Sequence, residues 1–164
     1  GACDNGMIYD KKKYEKLIKK DDVDILVWVV RGYPNAQRMP EMYGWVDVDN
    51  HTGFIKNISV KKPLQSKEND PIVVGAFTFK KLDYFIKSVE KMKERKGTVN
   101  NEYYIDTSIN DAIALGYKCS IFEIDYYLCW GTPNDYETFN YWQKCFSSWV
   151  EHPYKLHLDP NYNT

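Results

Sequence analysis

The apolar positions of this chain fall into two periods. Ile25-Leu26-Val27-Trp28-Val29-Val30 is an unbroken apolar run of strand length, the pattern of a sheet strand covered on both faces. Ahead of it, Asp10 can cap a short helix that sets Tyr14, Leu17 and Ile18 on one face and lysines on the other. Arg31–Pro40, broken by Gly32, Pro34 and Pro40, reads as a loop. Met42–Asp49 and Phe54–Val60 are strand-like segments joined by Asn50-His51-Thr52-Gly53, which predicts a hairpin.

After a polar loop over Lys61–Asp70, Ile72–Phe79 is again a strand. It leads into a helix over Lys80–Lys96, with Leu82, Phe85, Ile86, Val89 and Met92 at helical spacing and Gly97 as its stop. The next helix opens at Asp106 or Thr107 and closes at Gly116. Lys118–Ile124 and Tyr126–Cys129 are strands. Thr132-Pro133-Asn134-Asp135 starts a last helix, with Thr132 as cap, Pro133 in the first helical position and Asp135 as the capping carboxylate. Strands alternate with helices around one inserted hairpin, which predicts an α/β layered fold. The expected division is a domain over 1–150 and an irregular tail over 151–164, marked by Pro153 and Pro160.

Composition narrows the function classes. The 164 residues carry 22 Lys and Arg against 23 Asp and Glu, a net charge of −1, so binding nucleic acid through bulk positive charge is excluded. No apolar run reaches the roughly 20 residues of a membrane span, and no signal peptide opens the chain, so a cytoplasmic protein is expected. The first residue is not Met, and the expectation is a chain that begins inside a longer protein. Cys3, Cys119, Cys129 and Cys145 form no Cys-x-x-Cys pair and read as reduced thiols. His152 and His157 lack a second pair of ligands at finger spacing, so no zinc site is expected there. Aromatic residues make up 16%, with fourteen Tyr, more than a core alone usually needs.

Several short segments could carry chemistry. In Gly1-Ala2-Cys3-Asp4-Asn5-Gly6 the Asp-Asn-Gly is turn chemistry, while an Asp after small residues at a strand end is also a common metal carboxylate. Gly44, inside Tyr43-Gly44-Trp45, marks a bulge or a close backbone approach to a ligand. Lys61-Lys62-Pro63 ends the hairpin with two cations that are either solvated or phosphate-binding.

Taken in order, Cys3-Asp4-Asn5-Gly6, Tyr43-Gly44, Lys61-Lys62-Pro63, Val74-Gly75-Ala76-Phe77, Asn101-Glu102 and Gly131-Thr132-Pro133-Asn134-Asp135-Tyr136 resemble the sugar-phosphate nucleotidyltransferase family. That family includes glucose-1-phosphate thymidylyltransferases and mannose-1-phosphate guanylyltransferases, and the likeness covers most of residues 1–146. It implies a Rossmann-like sheet with flanking helices and a substrate-binding insertion. The family's Gly-rich nucleotide loop has no counterpart, so the chain looks like the C-terminal two-thirds of such an enzyme.

By this resemblance Asp4 holds Mg²⁺ and serves catalysis, Gly44 presents its backbone to the sugar, and Lys62 meets the sugar phosphate. Gly75 lines the same substrate site, and Glu102 accepts hydrogen bonds from sugar hydroxyls. Two departures stand out: Cys129 occupies the position of the second Mg²⁺ carboxylate, and Lys61 stands where many members have Glu. The implied activity joins a nucleoside triphosphate to a sugar phosphate or similar phosphorylated acceptor with release of pyrophosphate, for polysaccharide or surface-glycan precursors. The implied state is a possible homo-oligomer, with the piece at hand inactive alone. The alternative is a non-catalytic binding or regulatory relative that keeps the fold.

Overall fold

The computed structural model describes residues 1–49 and 51–149. Asn50, the tail over 151–164 and with it His152 and His157 lie outside the described residues. By packing, the chain divides into two compact units, Gly1–Tyr127 and a second from Leu128 on.

The first unit is built on a five-stranded mixed sheet. In chain order its elements are β1 (Asn5–Ile8), α1 (Lys11–Ile18), β2 (Ile25–Val30), α2 (Pro34–Arg38), β3 (Gly44–Val48), β4 (Ile55–Val60), β5 (Ile72–Phe79), α3 (Leu82–Glu94), α4 (Ile105–Ala114) and β6 (Cys119–Glu123). The strands lie in the order β4-β3-β5-β2-β6. β2 and β6 run parallel, and β2 with β5, β5 with β3 and β3 with β4 run antiparallel. The hairpin reaches across the sheet: Phe54 bridges Ser120 of β6, whose hydroxyl donates to the Gly53 carbonyl at 3.1 Å.

Alternation along β2 explains the two layers. Ile25, Val27 and Val29 face a core completed by Ile58, Ile109, Ala112 and the flanking Tyr84 and Ile113 of α3 and α4. Leu26 and Val30 face a second core with Trp45, Val74 and Phe122, flanked by Tyr14 and Leu17 of α1. The surplus of aromatics is spent here: Trp28 meets Tyr9 and Phe122 edge-on at 4.8 Å each, and Tyr33 meets Tyr127 at 5.0 Å. Asp10 caps α1 as expected, accepting from the N–H groups of Lys12 at 2.8 Å and Lys13 at 3.1 Å.

Three local expectations are corrected. Arg31–Pro40 is not a plain loop, because Pro34 takes the first helical position of α2 and Ala36 is buried beneath it. The helix expected to open at Asp106 or Thr107 opens at Ile105 instead, with Tyr104 at its N-cap making no side-chain cap hydrogen bond. Asp4 does not end a strand, for it lies in a bend just ahead of β1.

The second unit begins within β7 (Tyr126–Cys129) and continues into α5 (Pro133–Ser148). Thr132 caps α5: its hydroxyl accepts from the Asp135 N–H at 3.2 Å and lies 2.8 Å from the Asp135 carboxylate. The Gly131 N–H points at the Cys129 sulfur, 3.4 Å away, so that thiol sits inside the turn leading to the helix. No helix among the described residues is long and apolar enough to cross a membrane.

Candidate functional site

The first unit collects the family-motif residues into two neighbouring groups. One surrounds Gly75. Between Val27↔Phe77 and Val29↔Val73 the register of β2 with β5 shifts, so Trp28 alone faces Val74, Gly75 and Ala76. Gly75 takes φ +78 in this bulge, a conformation that L residues avoid. A Cβ there would lie 3.0 Å from the Ala2 Cβ. The N-terminal segment is bound to this bulge: the Ala2 N–H donates to the Gly75 carbonyl at 2.8 Å, and the Asn5 amide donates to Val74 at 2.9 Å. Asp4, between them in sequence, is exposed, and the buried amide oxygen of Asn5 has no hydrogen-bond partner among the described residues.

The second group surrounds Gly44. Gly44 is buried at the start of β3, pairs with Val60 of β4, and lies against Val73 of β5, two residues before Gly75. The space its missing Cβ would fill is taken by the Asp106 carboxylate from the first turn of α4. The pairing of Gly44 with Val60 places Lys61 next, at φ 59, with its N–H donating to the Tyr43 carbonyl at 3.0 Å. The Lys61 ammonium lies 4.8 Å from the centre of the Tyr104 ring, and the Tyr104 hydroxyl donates to the Glu102 carboxylate.

Glu102 is held by a tight turn. Asn100 and Asn101 are both left-handed, at φ 52 and φ 63, and Val99 and Glu102 exchange backbone hydrogen bonds of 2.9 and 3.0 Å. Two left-handed residues between paired neighbours give the geometry that Asn tolerates best after Gly.

One ammonium and two carboxylates therefore share this group. The hydrogen bond to Tyr104 raises the Lys61 pKa above the usual lysine value, with Glu102 and Asp106 adding through their charge. Burial raises the Asp106 carboxyl above the usual carboxylate range, opposed by backbone N–H groups and by Lys61. The Thr107 N–H reaches its Oδ1 at 3.2 Å. Thr107 itself is buried, and its hydroxyl has no partner among the described residues.

Lys62, one residue beyond Lys61, is exposed and makes no ion pair among the described residues. The two adjacent lysines thus differ: Lys61 is engaged by Tyr104, and Lys62 is exposed. In the sequence Asp106 and Thr107 are only candidate helix openers, and Tyr104 carries no site signal. The signal that could have found Asp106 is Gly44, since a buried glycine in a strand asks what occupies the place of its side chain.

For a metal, no cluster of three His, Cys, Asp or Glu stands together among the described residues. In the first unit Asp4 offers a single exposed carboxylate. Such a donor set suits Mg²⁺ shared with a nucleotide's phosphates, since Mg²⁺ is usually bound through one or two carboxylates plus substrate phosphates.

No family profile matches the chain, and no curated protein matches it. Solved structures do resemble it. A nucleoside-diphosphate-sugar pyrophosphorylase from Vibrio cholerae aligns with a TM-score of 0.61 at 13% identity, over 83% of this chain and 52% of its own. A protein described as a glucose-1-phosphate thymidylyltransferase from Bacillus anthracis, solved with a sucrose, aligns with a TM-score of 0.57 at 19% identity, over 85% of this chain and 51% of its own. The chain therefore spans about half the length of these structures. Its mixed sheet flanked by helices has the fold of nucleotidyltransferase-like proteins.

Proposed function

We propose that the complete protein transfers a nucleotidyl group from a nucleoside triphosphate to a small phosphorylated acceptor of the sugar-phosphate kind, and that this chain supplies the acceptor side of the site. The observation that carries this reading is the group at the hairpin end: the Asp106 carboxylate seated against the strand glycine Gly44, Glu102 fixed in its turn, and the exposed ammonium of Lys62. In this reading the group takes a polar molecule bearing a phosphate, on a fold shared with sugar nucleotidyltransferases.

In this reading an oxygen of the acceptor phosphate attacks the α-phosphorus of the nucleotide. The bond from that phosphorus to the bridging oxygen breaks, and pyrophosphate leaves. Lys62 holds the acceptor phosphate as a point charge, and Gly44 leaves room for the Asp106 carboxylate beside β3. Glu102, fixed by its turn and by Tyr104, accepts from acceptor hydroxyls, and Gly75 keeps the N-terminal segment with Asp4 close to β5. Asp4 would be the residue of this chain that holds Mg²⁺, which would supply neutralisation of the charge on the reacting phosphates. The product is a nucleotide-activated building block suited to polysaccharide or surface-glycan synthesis.

The test is pyrophosphate release by the complete protein across four nucleoside triphosphates and a panel of phosphorylated acceptors. Release that requires both substrates is expected. With the active pair, Lys62→Ala should raise the acceptor KM about tenfold or more while the nucleotide KM stays within twofold. No release with any pair would favour the non-catalytic relative.

A further inference from the structure

The outer face of α1 carries positive charge that the packing of the first unit does not call for. Six of residues 11–20 are lysine and one, Glu15, is acidic. Tyr14, Leu17 and Ile18 turn one face of the helix onto the core. Lys12, Lys16 and Lys19, four and then three residues apart, fall on the opposite face. All six lysines are exposed, and none makes an ion pair among the described residues. The Lys13 ammonium reaches the Glu123 carbonyl at 3.4 Å, and Lys80, donating to the Lys20 carbonyl, adds a further cation at the far end. Local stability runs against this arrangement. Lys11, Lys12 and Lys13 lie at the positive end of the helix dipole with no acid in the first turn, and Lys12 and Lys16 repel each other across one turn. A stretch that breaks local rules with no gain in packing is where a functional surface is to be sought.

We propose that this face of α1 is a docking surface for an anionic lipid bilayer, a role that does not depend on the nucleotidyl-transfer reading. The charges indicate the partner. Asp21 and Asp22 follow the helix and the chain's net charge is −1, so the positive charge is a stripe that acts at contact range, within about 8 Å at physiological salt. Every cation of the helix is a lysine. A hydrated point charge on a flexible stem suits the smeared negative charge of lipid headgroups, whereas the rigid fork of arginine suits the fixed geometry of nucleic acids and protein carboxylates. Ile8 and Tyr9, 57% and 39% exposed, lead into the stripe at its N-terminal end. The Asp125 N–H donates to the Ile8 carbonyl at 3.0 Å, which sets Tyr126, 67% exposed, one residue from that contact. Aliphatic and tyrosine side chains next to lysines fit the boundary between headgroups and acyl chains. Because α1 keeps its own apolar face on the core, it lies on the bilayer through charge and does not insert.

The experiment is sedimentation of the complete protein with vesicles of phosphatidylcholine alone and with vesicles of phosphatidylcholine and phosphatidylserine in equal parts, at about 0.1 M and about 1 M salt. Association with the serine-containing vesicles, at the lower salt only, is expected. Lys12→Gln, Lys16→Gln and Lys19→Gln combined in one chain should weaken it about a hundredfold. Glu at the same three positions should abolish it. Gln and Glu are good helix formers and both remove the repulsion within α1, so both variants should melt no lower than the wild type. No association with the serine-containing vesicles at the lower salt would overturn the proposal. So would equal association with phosphatidylcholine alone, or association within about threefold of wild type in both variants. Tighter binding to a mixed-sequence DNA duplex than to the vesicles would overturn it in favour of a nucleic acid. Unfolding of both variants would overturn it by making the lysines structural.

Discussion

At Asp106 burial and charge pull in opposite directions. Burial raises its carboxyl above the usual carboxylate range, so the native chain holds that proton to a higher pH than the unfolded chain does. The sign follows from linkage. Where the native state binds the extra proton, stability falls as pH rises, from the ordinary Asp value near about 3.9 up through the raised one. At neutral pH the charged carboxylate therefore costs stability. Asp106→Asn should melt at a higher temperature than wild type at pH 7, and the gap should close as the pH is lowered past the ordinary Asp range. A lower melting temperature at every pH would contradict this. In the sequence Gly44, Glu102 and Lys62 are candidates through the short motifs that hold them. Asp106 is not among them, because the partner that makes it unusual is a glycine on another element, brought to it only by the packing of α4 on the hairpin.

The ends of α3 show what local sequence decides and what it leaves open. Gly97 does mark the stop, and its N–H donates to the Met92 carbonyl at 2.8 Å, but the left-handed residue is Lys96, at φ 55. Over Gly97 folds the Arg95 guanidinium, 2.7 Å from where a Cβ would lie, on its way to Asp111. That ion pair ties the end of α3 to the middle of α4, and α4 carries Asp106. Arg95 is 46% exposed while Asp111 is 3% exposed, so solvent screens one partner. Arg95→Ala should therefore cost about 1–3 kcal/mol in denaturant unfolding, below the cost of breaking a fully buried pair. A change under about 0.5 kcal/mol would show that α3 and α4 are held by apolar packing alone. The strands and the long helices were legible because periodicity reports burial directly. α2 was not, since five residues are too few to show a helical period and Pro34 reads equally as a loop or a first helical turn.

At the scale of the whole molecule, the chain spans about half the length of the structures it resembles. The order of six short motifs pointed to the fold, although no one of them is specific. In the second unit the Cys129 sulfur faces the Gly131 N–H within the turn before α5. The central claim is nucleotidyl transfer to a phosphorylated acceptor, and the fate of the α-phosphorus tests it most directly. The complete protein is incubated with each nucleoside triphosphate labelled with ³²P at the α-position, together with the acceptor panel, and the products are separated. The account predicts label in a new compound that forms only when a phosphorylated acceptor is present, with unlabelled pyrophosphate released in equal amount. Label remaining in the triphosphate, or passing only to free nucleoside monophosphate whether or not an acceptor is present, would contradict it.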